Sequence, residues 1–589
     1  MATVSGEGVV TGLKAGDVTI TATTAEGGFT ATCTVKVSSM PVESVSLNSD
    51  EETIYVGETV KLEATVMPAN ATDKSVSWTS SDTLVATVSA EGVVTAVAVG
   101  EATVTVTTTD GGKTAVCTIT VPEAPYPNIY AYGLKLESAT DGVTVGFNLN
   151  APATEVTVLA YDAEQNEYVV ATVAGAKAEY QTTQLDLTNL PEGEYTWAVK
   201  AEADLVAEDE PVLVKQYATN AYNLPRGVAI DKNPESPFFG NVYVSEGGGT
   251  VETSGVYIYD PKLNGGDKLY GSDWTAEHAS PMRMAVGEDG LVFVADWTDS
   301  QPNVHVIDPA NLDSNKLVFG GTYEEGIAMA ENGDKIHGEM SGIYVKGTGE
   351  DRYLYTFDAD LGQAILRYKI GNMTEPYAKK PGKTIYMSNE NYLQNGNSAI
   401  LMDAYEGWWI SQDRANDNAT IPALIHVTKD GVCNFNSAGM LGGRTRGTMA
   451  FNEDQTYCVT ASDNSLRVWA VTWTDSVPAL ELEQQMATTF GSQNNSSCYD
   501  IAIDPALNVY TSGNGKPLHV WALIKDENVC TTPAPQAMKF HVTGTGLDNI
   551  EAGRMLKKGV YSVTGQYLGE TADLLPQGIY IVNGQKTVK

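Results

Sequence analysis

Cysteine, histidine and basic residues are scarce in this chain, and each scarcity removes a class of function. Six cysteines in 589 residues do not make a disulfide scaffold. Cys433, Cys458, Cys498 and Cys530 have neither CxxC spacing nor clustered histidines, so a zinc site lacks its ligand set. The six histidines are scattered, and no HExxH helix, GxSxG elbow or phosphate loop is present. GGGTVETSG and GTGEDR are glycine-rich, yet neither joins a strand to a helix, which argues against phosphate cradling. Lys and Arg total 36 against 74 acidic residues, a net charge of −38, which repels nucleic acid and anionic lipid alike. Nucleic acid is therefore not expected as a partner. No apolar run is long enough to span a bilayer, and no stretch keeps a helical period. What is present is short alternating runs of Val, Thr, Tyr and Ile broken by Gly, Asn and Asp, the pattern of an all-β chain. Its length calls for several domains.

The front of the chain repeats. ATVSGEGVVTGLKAGDVTITATTAEGGFTATCTVKV, from Ala2, returns as VATVSAEGVVTAVAVGEATVTVTTTDGGKTAVCTITV, with Ala2 matching Ala86, Gly8 Gly92, Gly16 Gly100 and Cys33 Cys117. A domain-sized period marks tandem modules. Both cysteines sit on alternating strands and read as small buried hydrophobes. The complete copy, with YVGETVKLEATVMPANATDKSVSWTSSD before VATVSAEGVVTAVAVGEATVTV, resembles the bacterial Ig-like group 2 domain. That resemblance implies a small β-sandwich of the kind found in surface-protein stalks, with Trp78 at its centre. The opening copy has no front half. It is read as a start inside a longer protein, with the front half and a signal peptide upstream; the alternative is completion by a strand from a neighbouring chain.

After a proline-rich joint at VPEAPYPNIYAYG, the alternation resumes, and LPEGEYTWAVKA resembles the late strands of fibronectin type III-like domains, which implies a spacer sandwich. A new period follows. RGVAIDKNPESPFFGNVYVSE, MRMAVGEDGLVFVAD, SGIYVKGTGEDRYLYTFDAD, AILMDAYEGWWISQD, GTMAFNEDQTYCVTASD and YDIAIDPALNVYTSGN are strand–turn–strand pairs. Third strands such as GVYIYD, NVHVID and SLRVWAV follow them. The second strands end at Glu246, Asp296, Asp358, Asp413, Asp463 and Asn514, at intervals of 50, 62, 55, 50 and 51 residues. Six such units make a six-bladed β-propeller, and the pattern resembles NHL-type propellers. A seventh blade would need strands from the irregular segment 316–336.

Propeller topology brings the start of each first strand and the end of each second strand to one end of the ring. Candidate ligand-binding residues there are Arg226, Arg283, Arg444 and Arg446 before first strands, with Glu246, Asp296, Trp297, Asp299, Asp358, Asp360, Asp413, Arg414, Asp463 and Asn514 after second strands. Carboxylates beside arginines suit a polar ligand, and Trp297 offers a platform for a sugar face. Polar residues at strand ends also cap turns, and that role alone explains one per repeat. Adjacent Trp408 and Trp409 point to opposite sides of one strand and read as core. His305, His426 and His519 lie in third strands, where burial accounts for them. No catalytic residue is assigned, since a carboxylate pair acts on a glycosidic bond only at a set separation. No cofactor is called for. Calcium is a candidate ion at FDADLG, whose carboxylates alternate but which lacks the later ligands of an EF-hand loop.

Residues 555–589, with the Tyr561 strand, Gly565, Leu575, Pro576, Gly578, Ile579, Tyr580 and Lys586, resemble the C-terminal sorting domains of secreted Bacteroidetes proteins, which implies export. The expected organisation is all-β: Ig-like β-sandwiches followed by a six-bladed β-propeller and a small C-terminal β-domain. The boundaries are a partial Ig-like unit over 1–38, an Ig-like unit over 42–122, a sandwich over 127–216, the propeller over 220–534 and the C-terminal domain over 536–589. The expected location is extracellular or the outer-membrane surface. The expected partner is a glycan or a surface protein; a carbohydrate-active enzyme and an adhesin are the competing readings.

Overall fold

The structure is a computed structural model. It describes residues 2–56, 58–122, 126–139, 142–204, 212–216, 224–247, 254–266, 269–270, 281–296, 303–319, 328–329, 335–336, 340–358, 364–374, 383–387, 398–462, 465–487, 498–513, 516–523, 527–542, 560–562, 567–569, 579–582 and 585–588. Met1–Ala124 and Pro125–Lys589 are two compact units, taken in turn.

In the first unit the complete repeat is a sandwich. Glu51–Thr53, Thr114–Val121, Gly100–Thr108 and Val76–Ser80 form a four-stranded sheet; Ala86–Val88, Val93–Ala96 and Thr59–Lys61 form a three-stranded one. Alternation sends Ala102, Val104, Cys117, Ile119 and Val121 inward beside Leu62, Ala86 and Val94, all almost fully buried. Trp78 is only half-buried and packs on the side of this core, not at its centre. Its ring closes on the turn at Gly92, whose φ of +82° and crowding by Leu62 O leave no room for a side chain.

In the opening copy, Ala2–Val4 pairs Val10–Gly12 and Gly16–Thr23 pairs Thr30–Val37. The register is that of the later copy: Ile20 faces Cys33 as Val104 faces Cys117. Burial is not the same. Cys117 is buried but Cys33 is exposed: residues 2–37 match 86–121, so the strands Glu51–Thr53, Thr59–Lys61 and Val76–Ser80 that complete the two sheets of the later copy have no equivalents among them.

The second unit begins with a sandwich whose larger sheet runs Glu167–Ala174, Glu155–Tyr161, Gly193–Ala203 and Asn528–Pro533, with Phe540–Val542 also on Gly193–Ala203. Its smaller sheet is Ala131–Ala139, Gly142–Leu149 and Gln181–Gln184. Trp197, Phe147, Tyr195 and Phe540 fill the space between.

The six blades follow. Blade one is Pro225–Ile230, Val242–Gly247 and Ser254–Tyr259. Blade two is Pro281–Val286, Val292–Asp296, Asn303–Asp308 and Asn311–Phe319. Blade three is Met340–Lys346, Tyr353–Asp358, Ala364–Lys369 and Lys383–Met387. Blade four is Ala399–Met402, Trp408–Ser411, Leu424–Val427 and Cys433–Asn436. Blade five is Arg444–Phe451, Tyr457–Ser462, Ser465–Thr474 and Val477–Ala487. Blade six is Asp500–Ile503, Asn508–Gly513 and Lys516–Ala522, closed on its outer edge by Val212–Gln216. The first strand of each blade neighbours that of the next, and the sixth returns to the first. Each interface between blades carries its own apolar core, including that between blades six and one. Trp408 belongs to the core between blades three and four, and Trp409 to that between four and five. Residues 311–319 are the outer strand of blade two, and Ala328–Met329 with Lys335–Ile336 make only a short hairpin. Among the described residues no seventh blade is present.

Three segments cross the boundaries expected from sequence. Residues 212–216, placed with the sandwich, close blade six. Residues 528–533, placed with the propeller, and 540–542, placed with the C-terminal domain, extend the sandwich sheet. An alternating strand fits either sheet, and its partner is fixed by distant residues. The C-terminal strands Val560–Ser562, Tyr567–Gly569, Ile579–Val582 and Gln585–Val588 form a four-stranded sheet.

Candidate functional site

Register defines the two ends of the ring. Pro225 pairs Glu246, Pro281 pairs Asp296, Met340 pairs Asp358, Ala399 pairs Ser411, Thr445 pairs Ser462 and Asp500 pairs Ser512. The starts of all first strands and the ends of all second strands thus share one end. There the first strands of blades one, two, three and five each carry extra residues relative to their partners. Such bulges bend a strand and re-aim side chains, and Arg226, Arg283 and Arg446 lie within them.

Arg283 is 3% exposed, and its Nη1 donates to Asp500 Oδ1 at 2.8 Å, across blade one. Asp500 Oδ2 accepts the Val228 amide of blade one at 3.2 Å. One carboxylate therefore ties three consecutive blades. Burial pushes Asp500 up to about 6, with the Arg283 charge and the hydrogen bonds pulling the other way. Arg226 is half-buried, its guanidinium 5.4 Å from the Tyr499 ring centre. Glu246 is buried and accepts the Leu224 amide. Asp296 is buried at the end of its strand; Asp413, also buried, does not close blade four's second strand, which ends at Ser411, but opens the separate strand Asp413–Asn416. Asp413–Asn416 forms a short ladder with Arg444–Phe451, in which Asp413 faces Arg446 and Asn416 faces Arg444. Arg444 is half-buried; Asp358, Arg414 and Arg446 are placed by their backbone alone. Trp297, Asp299, Asp360, Asp463 and Asn514 lie outside the described residues, as does much of the FDADLG segment considered for calcium. Among the described residues no group of three His, Cys, Asp or Glu side chains could hold a metal.

The six first strands enclose a channel of about 580 Å³. Val228, Ile230, Val345, Ile400 and Ile501 contribute to its wall, with Asp500 and Arg283 towards the end just described. At the other end Lys232 reaches from blade one to donate to Phe451 O of blade five at 2.8 Å. Burial draws Lys232 down to about 8, against the opposing charge of Glu453. Asp231 and Asp504, in the turns at that end, are each pushed up to about 6 by burial, partly offset by their hydrogen bonds.

Neighbouring blades are also clasped by hydroxyls. Ser245 Oγ accepts the Gly227 amide at 2.7 Å and donates to Met282 O of blade two at 2.5 Å. Ser411 and Ser512 reach Thr448 O and Arg226 O of the following blades in the same way. Ser245→Ala is expected to cost about 1–2 kcal/mol, the worth of losing a buried hydroxyl between two backbone groups. A urea titration reads this as a lower midpoint with unchanged slope.

The sequence reading missed Asp500, Ser245 and Lys232. Asp500 was within reach, as an acidic residue just before the apolar run Ile501–Ile503. Its partner 217 positions away was not.

The bacterial Ig-like domain (group 2) family matches residues 1–35 and 41–119, so the N-terminal units are repeats of that kind. An Ig-like virion protein of Serratia phage KSP90 is 43% identical over 107 residues, 18% of this chain and 42% of that protein. A kappa-carrageenase of Pseudoalteromonas carrageenovora is 45% identical over 80 residues, 14% of this chain and 20% of that enzyme. The chain spans less than half the length of either relative. A Trichoderma reesei protein of carbohydrate-active enzyme family AA12 has 11% identity and a TM-score of 0.35, over 55% of this chain and 98% of that one.

Proposed function

We propose that the propeller is the ligand-binding head of an exported or cell-surface protein, that its Ig-like repeats serve as a stalk, and that the ligand is a glycan or another polar molecule. The observation that carries this reading is the Arg283–Asp500 pair, buried at one end of a channel whose mouth gathers charged positions from several blades. Burying ions at a channel mouth is costly unless they are held in place, and fixed charges and amides are what orients a polyhydroxylated ligand. Arg226, Arg283, Arg444 and Arg446, with Glu246, Asp296, Trp297, Asp299, Asp358, Asp360, Asp413, Arg414, Asp463 and Asn514, make up the proposed face. The kappa-carrageenase offers a precedent for Ig-like sequence within a polysaccharide-degrading protein, although an 80-residue match bears on the stalk and not the head. The C-terminal sheet is read as a sorting-type domain, and the sandwich as a fibronectin-like one.

The full chain on a glycan array tests this. Binding without product release is expected, and Arg226→Ala should weaken it about tenfold, the loss of one charge-assisted contact. Release of shortened sugars would replace a binding head by an enzyme. Recovery of a protein partner with no glycan bound would replace it by an adhesin.

A further inference from the structure

Two departures from the blade pattern meet at the end of the ring opposite to this face. The turn after the first strand recurs in blades two, four, five and six: Gly287–Gly290, Asp403–Glu406, Asn452–Gln455 and Asp504–Leu507 are each closed by a backbone bond from the fourth residue to the first. The third position holds Asp289, Asp454 and Ala506 in three of them. In blade four it holds Tyr405, which is 48% exposed. The second departure is the hairpin of blade five, Ser465–Thr474 with Val477–Ala487, whose strands of 10 and 11 residues are the longest of the described propeller strands. Its extension carries Trp473, and the two rings lie with centres 5.3 Å apart at 48°.

Trp473 is held ready. Its Nε1–H donates to Gln455 O at 3.3 Å, and Trp409 and His426 back it at 6.0 and 5.5 Å. Behind it, His426 Nε2 meets Asp403 Oδ2 and Nδ1 meets Asn434 Oδ1, both at 2.5 Å, while Asn434 Nδ2 donates to Ser476 O of the hairpin. The hairpin tip is thereby fixed to blade four. Gln455 spans both departures, its Nε2 donating to Met402 O at 3.1 Å. Its Oε1 is buried and has no hydrogen-bond partner among the described residues. Glu406, which Lys346 Nζ approaches at 3.3 Å, and the Asp475–Ser476 turn add polar groups around the rings.

We propose that Tyr405 and Trp473 form a second carbohydrate site that takes the apolar face of a neutral hexopyranose. Two preformed rings present the surface on which a sugar's C–H face packs, and fixed rings lose little entropy on binding. A protein partner fits less well, since two rings are far smaller than the roughly 800 Å² per side of a stable interface. An acidic polysaccharide is disfavoured by Glu406, Asp475 and the chain's net charge of −38. The site is independent of the channel-mouth reading, because it lies at the other end of the ring.

The test is a titration of the ¹⁵N-labelled full chain with neutral hexo-oligosaccharides, glucan, galactan and mannan hexamers in turn, followed at the Trp473 indole N–H assigned through Trp473→Phe. The resonance is expected to shift and saturate with at least one of them. Tyr405→Ala, at an exposed position, should keep the thermal melt and raise Kd at least tenfold. A Trp473 signal unmoved by all three sugars overturns the proposal. So does a shift that Tyr405→Ala leaves unchanged. Binding at the channel mouth leaves this signal in place, so failure of one site is distinguishable from failure of the other.

Discussion

Asn128→Leu is expected to lower the melting temperature of the full chain by roughly 5–10 °C and to loosen the sandwich from the propeller first. Asn128 is buried where the two meet. Its Nδ2 donates to Ala506 O at 3.1 Å and Leu523 O at 3.0 Å in blade six, and its backbone amide to Asn508 Oδ1 at 2.7 Å. Asn508 and Asn150 return bonds to its carbonyl, each at 2.9 Å. Next to it, the Ile129 amide donates to Asn528 Oδ1, whose Nδ2 donates to Asp204 O. Leucine keeps the volume and the backbone bonds but strands two buried carbonyls, at about 1–3 kcal/mol each. Hydrogen exchange should show protection lost first at residues 506–508 and 528–530. A melt within about 1 °C of the parent's, against the shift anticipated for this cost, would show that the junction is not held by these bonds.

Much of this architecture can be read along the chain, because the information is local. Strands declare themselves by alternation, as in Val242–Gly247 and Asn508–Gly513, and the blade period by a polar residue closing each second strand. The reading that Trp408 and Trp409 face different blades needed only the pleat of a strand. What could not be read is non-local. VLVKQ over 212–216 and NVCTTP over 528–533 alternate equally well for either sheet, and their partners were selected by ring closure. Asn128 and Asn508 are 380 positions apart, and no spacing rule links them. At the candidate site, residue type was legible and orientation was not. Glu246 and Asp296 do sit at strand ends, but a bulge at the start of the paired first strand, invisible in composition, accompanies their burial.

The closure also changes what the sandwich is. A spacer could be deleted without harm to the head. Here the strand leaving blade six enters the sandwich sheet, and the chain leaving the sandwich closes blade six on its way to blade one. The two folds share their joints, and a fragment cut at residue 220 would lose blade six's outer strand together with the Asn128 hub.

Arg283→Met should destabilise the fold by about 3–5 kcal/mol at pH 7.5, because it leaves Asp500 ionised and buried without its counter-charge. The defect should depend on pH. Burial already holds Asp500 at about 6 in the presence of Arg283, so the folded state binds this proton more tightly than the unfolded chain, whose carboxyl titrates near 4. Such a group contributes stability that is complete below the unfolded value and is lost as pH rises through about 6, the direction shared by Asp231 and Asp504. At pH 5 Asp500 is largely protonated in the parent and Arg283 has little counter-charge to lose, so the variant should approach the parent. Asp500→Asn behaves differently: it strands the guanidinium at every pH and removes the titrating carboxyl, so its deficit relative to the parent should be larger at pH 5.0, where the parent still has the proton-linked stability that is lost through about pH 6, than at pH 7.5. Urea unfolding of the three proteins at pH 5.0 and 7.5 decides the matter. An Arg283→Met deficit of equal size at both values would mean that Asp500 is ionised throughout and that the pair, rather than burial, governs its charge.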